Sequence, residues 1–164
     1  MKVLHRELMA YLRESFYLDW QGIHGAPHWA RVRLNGLAVA ERNGADKVVV
    51  QLFSVLHDSR RFNDGTDAGH GARGAEHAAE LNGRFFHLNP QQLDDLQFAC
   101  SYHSDGMTRA NPTVQACWDA DRLDLGRVGI RPNPKYLCTE AAKAPALLDS
   151  AYRRSVAGWF RHRD

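Results

Sequence analysis

Residues 46–58 read Asp46-Lys47-Val48-Val49-Val50-Gln51-Leu52-Phe53-Ser54-Val55-Leu56-His57-Asp58, and this stretch decides the fold. Its apolar residues lie on almost every side of a helix instead of along one stripe, the pattern of a helix that runs through a protein core. The helix ends in His57-Asp58, where a bare carboxylate is expensive to bury unless it is paired or bound to metal. The plainer alternative for the pair is a surface helix end with Asp58 facing water.

Outward from this stretch, apolar residues recur at helical spacing in nearly every segment. Upstream, Val3, Leu4, Leu8, Tyr11, Leu12 and Phe16 share a face across residues 2–18, and the Gly22–Gly25 stretch breaks the pattern. Pro27 suits the first turn of a second helix, where its missing N–H costs nothing, so His28 falls at that helix's beginning. Val32, Leu34, Leu37, Ala38 and Val39 carry it to Asn43-Gly44. Downstream, Ser59 to Ala68 is a polar loop, followed by a helix rich in small residues from near Gly69-His70 to Asn82-Gly83. Asn89-Pro90 with Gln92 marks a capped helix to about His103. Asn111-Pro112 opens another, closed by Gly126, and Ala144 to about Phe160 reads as the last. From Val128 to Lys143, Pro132 and Pro134 interrupt a stretch of little periodicity, with room for a strand or two near 128–138. The reading is an all-α bundle of six or seven helices forming one domain over residues 1–164.

With 44% hydrophobic and 24% charged residues, the chain is neither mainly disordered nor collagen-like. The net charge is only +2, and Lys/Arg are scattered among Asp/Glu up to a short basic tail around Arg153-Arg154 and Arg161-His162-Arg163. That leaves no stripe suited to long nucleic acid. Cys100, Cys117 and Cys138 are odd in number and widely spaced, which argues against a disulfide framework or zinc knuckle and for a reducing compartment. The most apolar run, Val48 to Leu56, has about nine residues where a membrane span needs about 20. The first residues are charged too early for a signal peptide, so a cytoplasmic location without membrane contact is expected.

His28, His57, Asp58 and an aspartate of the 112–125 helix lie on different predicted elements, and only a bundle core brings them together. Imidazole and carboxylate suit divalent Mn, Fe, Mg, Ni, Co or Zn, and two His plus two Asp leave positions open for water and phosphate oxygens. Val114, Cys117, Asp121 and Leu125 share one helical face, so Asp121 is expected to face the core and Asp119 to point away. Asp119 and Asp124 then read as solvated, or as ion-paired with Arg122. His103 continues the face of Leu93, Leu96 and Cys100 and is expected to point inward.

Three segments carry a resemblance to the HD superfamily of phosphohydrolases. They are His24-Gly25-Ala26-Pro27-His28-Trp29-Ala30-Arg31-Val32, then Leu56-His57-Asp58, then Asp119-Ala120-Asp121-Arg122-Leu123-Asp124. The chain resembles that family over roughly residues 24–126 in the order and spacing of an early helical histidine, the His-Asp pair and a late aspartate. The resemblance implies one divalent ion held by His28, His57, Asp58 and Asp121, the late aspartate being the one that precedes the basic residue. His70, in His70-Gly71-Ala72-Arg73-Gly74, and His103, in His103-Ser104-Asp105-Gly106, resemble positions that hold a second metal or bind phosphate in some members, with His77 a weaker candidate. The implied reaction is hydrolysis of a small phosphorylated substrate, a nucleotide being the expected kind, with Asp58 orienting the attacking water. His24 would contact phosphate or protonate the leaving group, and Arg122, Arg60, Arg61 and Arg73 would meet substrate charge. Surface solvation is the alternative for those arginines. After His57-Asp58 the sequence lacks the Glu-Asp pair of guanosine tetraphosphate hydrolases, and no Gly-Tyr-Pro follows Gly106 as in cyclic di-GMP phosphodiesterases. Two alternatives remain on the same scaffold: a nucleotide or metal sensor without turnover, and a di-iron oxygenase. His5, His87 and His162 fit no pattern.

Overall fold

In a computed structural model, residues 2–158 are described, and among them eight α-helices and no strand occur. The helices are α1 (Arg6–Ser15), α2 (Ala26–Asn43), α3 (Lys47–Leu56), α4 (His70–Leu81), α5 (Pro90–Tyr102), α6 (Pro112–Arg122), α7 (Glu140–Lys143) and α8 (Pro145–Val156). The count exceeds the six or seven expected because residues 128–143, which lack helical periodicity, still form α7. Two short 3₁₀ turns, Leu125–Val128 and Pro134–Tyr136, occupy the region where a strand was expected to fit. The basic residues at 161–163 and the end of the helix expected to run to about Phe160 fall outside the described residues.

Local chemistry explains the helix starts. The Asp46 carboxylate accepts from the amides of Val48 and Val49 and opens α3, while Asn89 and Gln92 form the reciprocal capping box of α5. Asn111 caps α6, and Gly44, at φ 75°, terminates α2 in the left-handed conformation. α1 starts at Arg6, later than the apolar pattern alone suggests, because the His5 ring caps it. α6 stops at Arg122, short of Gly126, and the chain turns on through the first 3₁₀ segment.

α3 is the axis of the bundle and packs against α2, α4, α5 and α6. Val49, Val50, Leu52, Phe53 and Leu56 have no solvent exposure, as expected for a helix apolar on every side. Trp29, Leu96, Cys117, Trp118 and Leu123 complete the core around it. The approach of α4 is set by its glycines. A methyl group on Gly74 would lie 2.8 Å from the carbonyl oxygens of both Leu56 and His57, and one on Gly71 would lie 2.6 Å from that of Cys100. α4 therefore sits directly against the ends of α3 and α5, which places His70 beside Asp58 and His103. No helix among the described residues is long and apolar enough to cross a membrane.

Gly74→Ala is expected to push α4 away from α3 and to cost about 1–3 kcal/mol, the range for overpacking a dense core. Urea unfolding monitored by tryptophan fluorescence measures it; an unchanged midpoint would show that the contact is not tight.

Candidate metal centre

Five helix ends deliver the ionisable groups to one place. His28 lies in the first turn of α2, His57-Asp58 follow α3, His70 opens α4, His103 follows α5 and Asp121 lies in the last turn of α6. His28, His57 and Asp58 are at most 2% exposed, His70 6% and His103 5%. Such burial requires each polar atom to have a partner.

Each imidazole has a partner on its Nδ1. His57 donates to the Phe53 carbonyl at 3.0 Å, His70 to that of Asp67 at 2.5 Å and His103 to that of Cys100 at 2.7 Å. A carbonyl oxygen only accepts, so these three Nδ1 atoms carry hydrogen and the neutral ring presents a lone pair at Nε2. The Nδ1 of His28 faces the Asp124 carboxylate at 2.7 Å. All four Nε2 atoms then turn toward one another, 3.1 Å apart between His28 and His57 and 2.9 Å between His70 and His103.

Asp58 stands between the two histidine pairs. Its Oδ2 is 3.4 Å from His57 Nε2 and 3.6 Å from His28 Nε2, and its Oδ1 is 3.5 Å from the Nε2 atoms of both His70 and His103. Asp121 Oδ1 approaches His28 Nε2 at 3.4 Å and His57 Nε2 at 3.8 Å, yet it is buried without a hydrogen-bond partner. An orphaned carboxylate oxygen beside converging imidazole lone pairs is a donor set suited to a divalent cation. Two groups of ligand atoms, His28–His57–Asp121 and His57–Asp58–His103, are tight enough to hold an ion, each within a 4.8 Å spread.

Electrostatics follow this crowding. Burial opposes ionisation of Asp58, but the surrounding imidazoles of His57, His103 and His28 hold its carboxyl well below the usual range. Burial likewise opposes ionisation of Asp121, and His28, His57 and Arg127 outweigh it. Burial and Arg127 push the His28 imidazole down, but Asp121, Asp124 and Asp58 prevail and raise it to about 9.

The remaining expected residues distribute differently. His24 is buried beside His28, with ring centroids 6.4 Å apart, and its Nδ1 meets Asp64 at 2.7 Å. Arg61 reaches the cluster, its Nε 3.1 Å from Asp58 Oδ1, while Nη1 holds the carbonyls of Asn63 and Gly65. The Arg122 guanidinium donates to the Tyr136 and Met107 carbonyls and fastens neighbouring loops. That of Arg73 bonds Asp67 and the Arg60 carbonyl and lies 3.9 Å over Phe62. Arg60 lines a separate cleft with His77, whose Nδ1 bonds Ser59.

Asp119 also departs from expectation. It is fully buried, accepting from the amides of Cys138 and Thr139 and from the Thr139 hydroxyl, because the 137–142 segment covers that side of α6. Asp121 is the more exposed of the two. Asp124, expected in solvent or with Arg122, is instead buried and holds both His28 and the Arg31 Nε, the latter at 2.7 Å. Arg127, which no motif indicated, lies 3.8 Å from Asp121 and donates to the Ile23 carbonyl.

No protein-family model matches the sequence, and no curated protein does. Among solved structures, the chain is similar to a predicted HD superfamily hydrolase of an uncultured Thermotogales bacterium. The two share 24% identity with a TM-score of 0.69, over 93% of this chain and 87% of the other. The fold is therefore that of an HD-domain protein.

Binding of a divalent ion must displace the proton that His28 holds up to about 9. Affinity for Mn²⁺ is accordingly expected to rise roughly tenfold per pH unit from 7 toward that value, the slope of one displaced proton. Calorimetric titration across the range measures it, and a flat profile contradicts the assignment of His28 as ligand. Asp124→Asn, which leaves the inward donors intact but weakens the outer partner of His28, is expected to cost 10–100-fold in the same affinity.

Proposed function

We propose that the chain is a metal-dependent phosphohydrolase acting on a nucleotide or another small phosphate ester or anhydride. The observation that carries the reading is the convergence of four buried imidazole Nε2 atoms on Asp58 and the unpartnered Asp121 oxygen. His28, His57, Asp58 and Asp121 would hold one ion, and His70 and His103, with Asp58 shared between them, would hold a second or bind phosphate. When bound, a divalent ion supplies Lewis acidity toward water and a phosphoryl oxygen.

The protein's own contribution is positional. Asp58, fixed by Arg61 at 3.1 Å, is the acceptor best placed to orient a water for in-line attack. His24 is held by Asp64 through Nδ1, so its other nitrogen is the one available to a phosphate oxygen or a leaving group. Burial lowers its pKa and keeps the ring mostly neutral near pH 7. With Nδ1–H given to Asp64, the neutral ring presents a lone pair at Nε2, so it would accept a proton from water or substrate, and contact with a phosphate oxygen or donation to a leaving group would draw on the minor protonated form.

The test begins with elemental analysis of protein purified without added metal. A hydrolysis panel of phosphomonoesters, diesters and nucleoside di- and triphosphates with Mn, Mg, Ni, Co, Fe and Zn follows. Turnover that falls at least about 10³-fold in Asp58→Ala while the fold is retained is the expected result. A folded protein that binds none of these metals would overturn the reading, and metal binding without hydrolysis of any panel member would replace it with a binding module.

A further inference from the structure

A second polar site adjoins the metal centre without being part of it. Ser59 and Arg60 directly follow His57-Asp58, and the chain then carries Phe62 out to solvent, 57% exposed. Tyr17, 65% exposed, meets the Phe62 ring edge to face at 5.5 Å. Between this pair and α4 lies a cleft of about 160 Å³ bordered by Arg60, His77, Glu76 and Glu80. Pockets for whole drug-sized ligands run to roughly 300–1,000 Å³, so this one admits a single ring system with the rest of the molecule outside.

The back of the cleft contains an unanswered hydrogen-bonding group. His77 is 1% exposed and its Nε2 has no partner. Its tautomer follows from its neighbour: the Ser59 hydroxyl gives its one proton to the Leu56 carbonyl at 2.8 Å and accepts from His77 Nδ1 at 2.8 Å. Nε2 therefore presents a lone pair. Burial and the nearby Arg60 charge pull the imidazole down to about 4, so it stays a neutral acceptor at pH 7. A buried acceptor left without a donor is destabilising, a reason to expect a ligand that answers it.

We propose that this cleft is the subsite for the base of a nucleotide, preferring bases with an exocyclic amino group. The aromatic pair offers a stacking surface, since every base has a π-face. The remaining groups select among bases: His77 Nε2, Glu76 and Glu80 are acceptors that call for N–H donors, and Arg60 is a donor for a ring nitrogen or carbonyl. Arg73, clamped by Asp67 and stacked on Phe62, holds the platform in place. Asp67 also accepts from the Phe62 amide through its carboxylate, and its carbonyl accepts from His70. The segment that carries the platform thus also fixes an imidazole of the metal centre.

The proposal deepens the phosphohydrolase reading, and its test separates the two. Free nucleosides, which lack phosphate, are titrated against the full chain by saturation-transfer NMR with ribose as control. Cytidine, adenosine and guanosine are expected to bind, uridine about tenfold more weakly and ribose not at all. Tyr17→Ala and Phe62→Ala, both at exposed positions, are expected to weaken nucleoside binding at least tenfold, and His77→Phe to abolish the preference for cytidine over uridine. In hydrolysis, the same two aromatic variants should raise KM for nucleotides while leaving turnover of ribose 5-phosphate unchanged. Nucleosides that bind no better than ribose, or that bind equally to all three variants, overturn the subsite even if phosphate esters are hydrolysed. Selective nucleoside binding by a protein that hydrolyses no phosphate ester would keep the subsite and overturn the hydrolase.

Discussion

Four imidazoles that each commit Nδ1 to an acceptor behind them have no choice about where their remaining lone pairs point. In this protein they point at one another, at 3.1 and 2.9 Å, and the rings are almost entirely buried. Two facing lone pairs repel, and Asp58 and Asp121 add negative charge to the same volume. Protonating His28 relieves part of this, and its elevated pKa reflects that relief. A divalent cation held by His28, His57, Asp58 and Asp121 would relieve that half of the cluster, with their inward atoms as its ligands. The outer acceptors, the carbonyls of Phe53, Asp67 and Cys100 and the Asp124 carboxylate, are thus as much a part of the site as the rings they hold.

Those carbonyls are available because the histidines sit at helix ends. His57 and His103 follow the last residues of α3 and α5, and each ring takes a carbonyl from three or four residues back. The Cys100 carbonyl lies in the last turn of its helix, where carbonyls lack helical partners, whereas the Phe53 carbonyl is shared between the His57 amide and the His57 ring. The price is proximity, since three helix ends must come together, and Gly71 and Gly74 supply it by omitting side chains where α4 meets the carbonyls of α3 and α5.

How much of this was legible in the sequence depended on whether a residue's role is set locally. α3 was legible because burial on every side is written into thirteen consecutive residues ending in His57-Asp58. The positions of His28 and His103 followed from a helix start and a helical face. Asp119 was misread because periodicity assumes one buried face, whereas α6 is covered on a second side by a segment whose own sequence has no period. Asp124 and Arg31 were within the quoted motifs, but what they do depends on each other across 93 positions, and no local pattern encodes a pair so distant. Arg122 adjoins Asp121 in sequence, yet one residue along a helix is a turn of about 100°, enough to send a guanidinium into a different environment.

The arginines that do approach the cluster set its charge. Asp58 has Arg61 at 3.1 Å, Asp124 has Arg31 at 2.7 Å, and Asp121 has Arg127 at 3.8 Å, close enough to attract but too far to hydrogen-bond. The three carboxylates of the cluster thus stand beside three guanidiniums, with Arg127 also 4.0 Å from Asp124, and these charges offset one another before any metal enters. A divalent ion then leaves it with a net positive charge inside a low-dielectric enclosure, where charge acts more strongly than at the surface. A site built only to store a cation gains nothing from three added arginines, which repel the ion it is meant to hold. Their presence accords with the proposed substrate, a negatively charged group toward which metal and arginines would act together. On this argument Arg61, singled out by its place after the His-Asp pair, and Arg127, which no motif indicated, are the arginines that would favour an anionic substrate in the proposed reaction.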